Sequence, residues 1–159
     1  MLIRPMSVAD PAGLAILESS VLSGWNEKQI AAELQRQAGA ALVAAGEGGD
    51  LWGWCCGLYS GNDAELLKIT VHPERRNNGI ASALLQDLEL LFVGNGASQL
   101  FLEVRFSNTA ARALYEKRGF QQTGRRKKYY KNPVDDALIL VHRMEDGKNQ
   151  DNSFSEWTA

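Results

Sequence analysis

The sequence predicts a chain of the mixed α/β class, with helices flanking one central, mostly antiparallel sheet, and three features carry that prediction. Three apolar runs, Ala40 to Ala45, Leu51 to Tyr59 and Ala64 to His72, are joined by Gly46-Glu47-Gly48-Gly49-Asp50 and Ser60-Gly61-Asn62-Asp63. Both links have strong turn compositions, so the runs read as an antiparallel meander. Between Gly79 and Val93, Ile80, Leu84, Leu88 and Leu91 recur at helical spacing, and Gly94-Asn95-Gly96 supplies the stop. Gln99 to Arg105 then alternates as a strand should, with Leu100, Leu102 and Val104 on one face and Phe101, Glu103 and Arg105 on the other.

The remaining elements follow in chain order. Residues 2 to 6 form a short apolar strand, and Ser7 with Asp10 three residues on resembles a capping box that opens a helix through about Ser20. Ser23-Gly24-Trp25 interrupts the pattern; Asn26 then caps a second helix, with Ile30 and Leu34 as its buried stripe and an end near Gly39. Asn108 caps a helix carrying Ala111, Leu114 and Tyr115, which stops at Gly119. A strand from Phe120, a loop containing Lys131-Asn132-Pro133 and a last strand from Ala137 to Met144 complete the order. Residues 1–144 therefore read as one domain, and the polar, aperiodic residues 145–159 as a disordered tail in which Trp157 has no evident role.

Bulk properties narrow the function. The 159 residues are 45% hydrophobic and 23% charged, as in globular chains, and no apolar run reaches the roughly 18 residues of a membrane span. The start, Met1-Leu2-Ile3-Arg4-Pro5, lacks the features of a secretory signal, which predicts a cytoplasmic protein. The two cysteines, Cys55 and Cys56, are adjacent within an apolar run, so they read as small core fillers on opposite faces of a strand. No His or Cys cluster has ligand spacing, and no metal is expected. A net charge of −2 argues against nucleic acid as the main partner, although Arg105 to Lys131 holds nine Lys or Arg and one acid. Its cluster Arg125-Arg126-Lys127-Lys128 suits a solvated edge strand, with a contact to RNA as the sharper alternative.

One junction carries chemistry. The run Leu66 to Val71 passes through His72-Pro73 into Arg75-Arg76-Asn77-Asn78-Gly79-Ile80-Ala81 and directly into the long helix. Free backbone N–H groups at a helix start, the positive end of the macrodipole and two arginines make this turn suited to a pyrophosphate. The stretch Ile69-Thr70-Val71-His72-Pro73 through Arg76-x-x-Gly79-x-Ala81 resembles the acetyl-CoA-binding motif of the GCN5-related N-acetyltransferases, and the element order resembles that fold too. Leu102-Glu103-Val104-Arg105-x-Ser107-Asn108-x-x-Ala111-x-x-Leu114-Tyr115-x-x-x-Gly119-Phe120 is similar to the second signature of that family's bacterial N-terminal alanine acetyltransferases, which act on a small-subunit ribosomal protein. Arg126 to Tyr130 and Asp136 to Leu140 resemble the end of the same subgroup. Two positions depart from the pattern: Ala81 replaces a more usual second glycine, and His72 stands where an Asp is frequent.

The resemblance implies a reaction and assigns residues to it. Acetyl-CoA is the implied cosubstrate, gripped at Arg75, Arg76, Asn77, Asn78, Gly79, Ile80 and Ala81, with the backbone near Ile69 and Val71 aligning its pantetheine and Asn108 contacting that arm. Glu103 matches the general base, working through water, and Tyr115 the general acid that protonates the departing sulfur; a solvent-facing strand Glu and a buried helix stripe explain the same residues without catalysis. Trp25 and Tyr130 match regions lining the acceptor groove. The implied acceptor is a protein N-terminus, with a small-molecule amine or a lysine as the alternative, and a non-catalytic acyl-CoA sensor as the alternative of another class. Magnitudes favour the α-amine. With a pKa near 7.8 it is roughly 14% neutral at pH 7, against about 0.04% for a lysine near 10.4, a difference of about 3.5 kcal/mol.

Overall fold

The computed structural model describes residues 1–144; the predicted tail and Trp157 lie outside the described residues. Strand β1 (Leu2–Pro5) leads to helices α1 (Pro11–Glu18) and α2 (Glu27–Ala32), and a 3₁₀ turn at Glu33–Gln35 follows. The meander β2 (Gly39–Ala45), β3 (Leu51–Ser60) and β4 (Asp63–Val71) precedes α3 (Ile80–Gly94) and β5 (Gln99–Arg105). Helix α4 (Thr109–Lys117) and strands β6 (Gln121–Lys131) and β7 (Val134–Arg143) close the described chain. The strands form one sheet in the order β1-β2-β3-β4-β5-β7-β6. Every neighbouring pair is antiparallel except β4 and β5, which run parallel.

Both faces of this sheet are covered, and the two cysteines report it. Cys55 packs with Ile80, Leu84, Leu88 and Phe92 beneath α3, whereas Cys56 packs with Leu14, Leu17, Ile30 and Trp54 beneath α1 and α2. Burial pushes both thiols far above their ordinary range, so neither supplies a thiolate. They are core fillers on opposite faces, as their adjacency in a strand predicts.

Four local expectations are corrected. Ser7 does not cap α1; Pro11 occupies its first turn, and Asp10 turns its carboxylate backward. That carboxylate accepts from the Ser7 backbone N–H at 2.7 Å and hydroxyl at 3.0 Å, and pairs with both Arg4 terminal nitrogens at 2.7 and 2.8 Å. A two-pronged, charge-assisted bond outcompetes an ordinary cap. It also holds the Asp10 carboxyl at about 2, the Arg4 hydrogen bond being the main cause. The second helix is shorter than its apolar spacing suggests, ending at Ala32, although Asn26 and Gln29 form a reciprocal capping box at 2.9 Å in each direction. On α3 the buried stripe continues to Phe92, leaving Leu91 43% exposed. The last strand also starts earlier than expected, at Val134, because β6 and β7 form a long hairpin.

The feature that opens a site is a discontinuity in β4. Cys56 pairs with Lys68 but Gly57 pairs with Leu66, so Leu67 is an extra residue and the strand bends there. Parallel pairing with β5 is confined to Asp63–Glu65 against Gln99–Phe101. Beyond those residues the two strands part, and the edge of β4 from Lys68 onward faces a cleft instead of a neighbour.

Candidate active site

The cleft between the parted strands has two connected lobes. The larger, of about 690 Å³, is lined by Ile69 and Val71 of β4, by Arg75, Arg76, Asn77, Gly79, Ile80 and Ala81 of the turn, and by Asn108, Ala111 and Tyr115 of α4 and its cap. The smaller, of about 270 Å³, brings Trp25, Glu103 and Tyr130 together with Ile69, Asn108 and Tyr115. Ile69, Asn108 and Tyr115 thus stand at the junction, touching both lobes. Residues drawn from positions 25 to 130 converge on one cavity.

The turn is built to leave its backbone donors free. Asn77 and Gly79 adopt left-handed φ values of 62° and 76°, and Gly79 is the N-cap of α3 with no side chain satisfying the first-turn N–H groups. A Cβ on Gly79 would meet no atom within 4 Å, so the approach to those groups is open. Asn78 alone of the predicted contacts does not line the lobe: its side-chain amide donates to the carbonyls of Arg75 and Arg76 at 3.1 Å each, holding the turn's shape. Ile80 lines the lobe but buries its side chain in the core, at 3% exposed. Arg75 stacks its guanidinium 4.4 Å from the Trp52 ring centre, and Arg76 Nε donates to the Val71 carbonyl at 3.3 Å. Both charges are therefore tethered beside the open amides, which fits a diphosphate.

On the far wall, Asn108 caps α4, its Oδ1 accepting from the Ala111 N–H at 3.2 Å. That cap aims the helix so that Tyr115 packs its ring on Phe120, centres 5.4 Å apart, while its edge reaches the junction. Tyr115 is 4% exposed, and its hydroxyl makes no hydrogen bond among the described residues. Burial pushes the phenol well above its usual value, which keeps the proton available for donation. Glu103, on the open face of β5, is half-buried and lies 3.4 Å from Arg126 Nε of β6. Trp25 meets Trp54 edge-on at 5.8 Å between ring centres, and Tyr130 lies over Arg105 at 4.1 Å.

Residue-by-residue reading of the sequence missed a second set of side chains at the small lobe. Lys68 and Arg105 line both lobes, and Ser23 lines the small one. Glu18 is fully buried; its carboxylate accepts from the Trp25 N–H at 2.9 Å and Trp54 Nε1 at 2.8 Å and pairs with Lys68 Nζ at 3.1 Å. The available signal was a lone Glu at the end of an apolar helix. Among the described residues no group of three or more His, Cys, Asp and Glu is placed to hold a metal ion. No helix there is long and apolar enough to cross a membrane.

Comparison with known proteins places the fold in a family. The model of the acetyltransferase (GNAT) family matches residues 12–120. A Bacillus subtilis (strain 168) protein assigned as a ribosomal protein bS18-alanine N-acetyltransferase is 34% identical over 122 residues, 77% of this chain and 81% of that protein. The ribosomal protein bS18-alanine N-acetyltransferase of Escherichia coli (strain K12) is 39% identical over 82 residues, 50% of this chain and 55% of its own. The crystal structure of the Escherichia coli ribosomal-protein-S18-alanine N-acetyltransferase superposes with a TM-score of 0.82 at 28% identity, covering 95% of this chain and 99% of that one. With a family model that matches more than half of the chain and a relative 34% identical over most of it, the chain belongs to the acetyltransferase (GNAT) family and is an N-acetyltransferase that uses acetyl-CoA.

Proposed function

We propose that the chain acetylates the α-amine of a protein N-terminus, with a small-subunit ribosomal protein bearing N-terminal alanine as its acceptor. The observation that carries this reading is the junction: Tyr115, Asn108 and Ile69 face both lobes, while Glu103 faces only the lobe walled by Trp25 and Tyr130. An acid shared between lobes and a base confined to one is the division that direct transfer between two substrates needs. The names of the relatives supply the acceptor.

Acetyl-CoA supplies an activated thioester carbonyl. The turn from Arg75 to Ala81 holds the diphosphate through its free amides and tethered arginines. The unpaired edge of β4 at Ile69 and Val71 offers backbone groups to the pantetheine, and Asn108 adds a side-chain contact. Glu103 accepts the proton of the attacking amine through a bridging water. Tyr115, kept neutral by burial, donates its proton to the leaving sulfur. Trp25 and Tyr130 flank the entering peptide, and the small lobe of about 270 Å³ suits a short side chain at its first position.

The test is turnover of a peptide panel with free and blocked α-amines, read by mass for the acetylated position. Free-amine peptides starting with alanine should react best, and blocking the α-amine should abolish the product. Glu103→Gln and Tyr115→Phe should each lower kcat about tenfold or more while acetyl-CoA binding, measured by calorimetry, stays intact. Acetylation at lysine alone sinks the acceptor assignment; near-normal kcat in both variants sinks the catalytic one. Binding of acetyl-CoA without product from any amine would identify a sensor.

A further inference from the structure

The cleft exists because β4 and β5 separate, yet the acceptor lobe has a defined width, and one residue of the α1–α2 connection bridges the gap. Ser23 is held from both strands. Lys68 of β4 donates from Nζ to the Ser23 carbonyl at 3.1 Å, and Arg105 of β5 donates from a terminal nitrogen to the Ser23 hydroxyl at 2.8 Å. Ser23 itself sits at φ 56°, a left-handed conformation that a serine adopts only when its surroundings fix it. Next to it, a Cβ on Gly24 would collide with the Glu18 carbonyl, and Trp25 N–H is bound by the buried Glu18 carboxylate. The connection is therefore pinned to the core on one side and to both strands on the other.

Arg105 ties in the opposite wall as well. Its guanidinium donates to the carbonyls of Pro133 at 3.0 Å and Asn132 at 3.4 Å, and stacks on the Tyr130 ring. It is 9% exposed and carries no carboxylate partner among the described residues, so its fork is spent on carbonyls, a hydroxyl and a ring. One guanidinium thus touches both the connection that carries Trp25, through Ser23, and the Tyr130 ring.

We propose that Ser23 is a latch that sets the width of the acceptor lobe, with Lys68 and Arg105 as its positioning residues, so that loosening it at Ser23, which lines the small lobe and not the large one, weakens acceptor binding and spares the cofactor half of the site. This rests on the small lobe being the acceptor side, as the proposed function has it. The cofactor lobe is walled mainly by the turn and α4, and Ser23 does not line it, although Lys68 and Arg105 line both lobes.

The experiment compares Ser23→Gly, Ser23→Ala and Arg105→Lys in the full chain, measuring KM for acceptor, KM for acetyl-CoA, kcat and Tm. The acceptor is the best amine found for the wild-type protein, whatever its type, so failure of the N-terminal reading leaves the test readable. Both Ser23 variants remove the hydroxyl that Arg105 holds and keep the backbone carbonyl that Lys68 holds; each should raise acceptor KM about tenfold while kcat and acetyl-CoA KM stay within about twofold, and Arg105→Lys, which removes the fork, should raise acceptor KM at least as much. Tm separates positioning from mere structure, because glycine adopts the left-handed φ freely and alanine does not. Ser23→Gly should match or exceed the wild-type Tm and Ser23→Ala should not, yet both should share the same rise in acceptor KM. Acceptor KM within twofold of wild type in both Ser23 variants, or both KM values rising together in step with a falling Tm, overturns the proposal.

Discussion

The pH dependence of kcat/KM probes the assigned acid directly. Burial pushes the Tyr115 phenol well above its ordinary value near 10, so it remains protonated where an exposed tyrosine would ionise. Deprotonation removes the donor, so an upward shift moves the alkaline fall of the rate to higher pH. The rising limb belongs to the acceptor. An α-amine near 7.8 is roughly 14% neutral at pH 7, so kcat/KM should climb about sevenfold from pH 7 to a plateau and stay level to about pH 10. A phenol at its ordinary value would have halved the rate there. The assay is initial-rate acetylation of an alanine-starting peptide across that range in constant ionic strength, with Tyr130→Phe as a control, since burial also raises the half-buried Tyr130. An alkaline fall with an apparent pKa between about 9 and 10 that survives the Tyr130 control refutes the reasoning for Tyr115. A rate that keeps climbing about tenfold per pH unit through pH 9 refutes the α-amine, because that is how a lysine near 10.4 behaves.

Two further predictions use other parts of the fold. Gly79→Ala carries a backbone penalty of about 1 kcal/mol at its φ of 76°, and Gly49→Ala carries the same penalty at φ 85° in the β2–β3 turn, with open space around both positions. The two variants should lose similar stability in urea titrations, but only Gly79→Ala should weaken acetyl-CoA binding by calorimetry; equal affinities would remove the phosphate role of the turn. Asp10 is 5% exposed, and its folded pKa of about 2 lies below the ordinary carboxylate range. Its contribution of ~2 kcal/mol is fully present above about pH 5 and is lost as pH falls through the folded value. Asp10→Asn should cost that amount at pH 7 and flatten the stability profile between about pH 4 and 2; an unchanged profile would show that the Arg4 pair is not holding the helix start.

Much of the site was legible because its signals are local. The phosphate turn is contiguous, its glycine and asparagines have backbone reasons to be there, and Asn108 caps α4 through a bond three residues away. Cys55 and Cys56 declared the two buried faces by adjacency alone. What the sequence hid was set by distance or by competition. Asp10 had a cap to make and chose Arg4, a stronger partner that no capping pattern includes. Leu91 and Phe92 both fit a helical period, and the shape of the opposing sheet decided between them. The contact between Arg105 and Ser23 spans 82 positions, and Lys68 to Ser23 spans 45. No periodicity encodes such a meeting, nor the extra residue at Leu67, which is visible only in the register between β3 and β4.

The basic cluster on β6 shows how far a composition argument reaches. As a run, Arg125 to Lys128 suggests a solvated edge, and β6 is indeed the edge of the sheet. Its members nonetheless divide. Arg125 pairs with Asp136 at 2.6 Å and lies over the exposed Phe106 ring, and Arg126 pairs with Glu103 and lies near Tyr129. Between Arg126 and Tyr130 the strand carries two residues more than its partner, and Lys128 takes φ 52° while its N–H is bound by Asp136. That bulge keeps Tyr130 in register with Asp135 and so in the wall of the small lobe. Half of the cluster's charge is therefore paired with a carboxylate, which leaves Lys127 and Lys128 as its members without a carboxylate partner among the described residues. A polyanion partner would meet those two and Lys131 directly and would compete with Asp136 and Glu103 for the exposed Arg125 and Arg126, each neutralised phosphate contributing separately to affinity. The charge asymmetry on β6 is thus partly balanced within the fold, by Asp136 and Glu103.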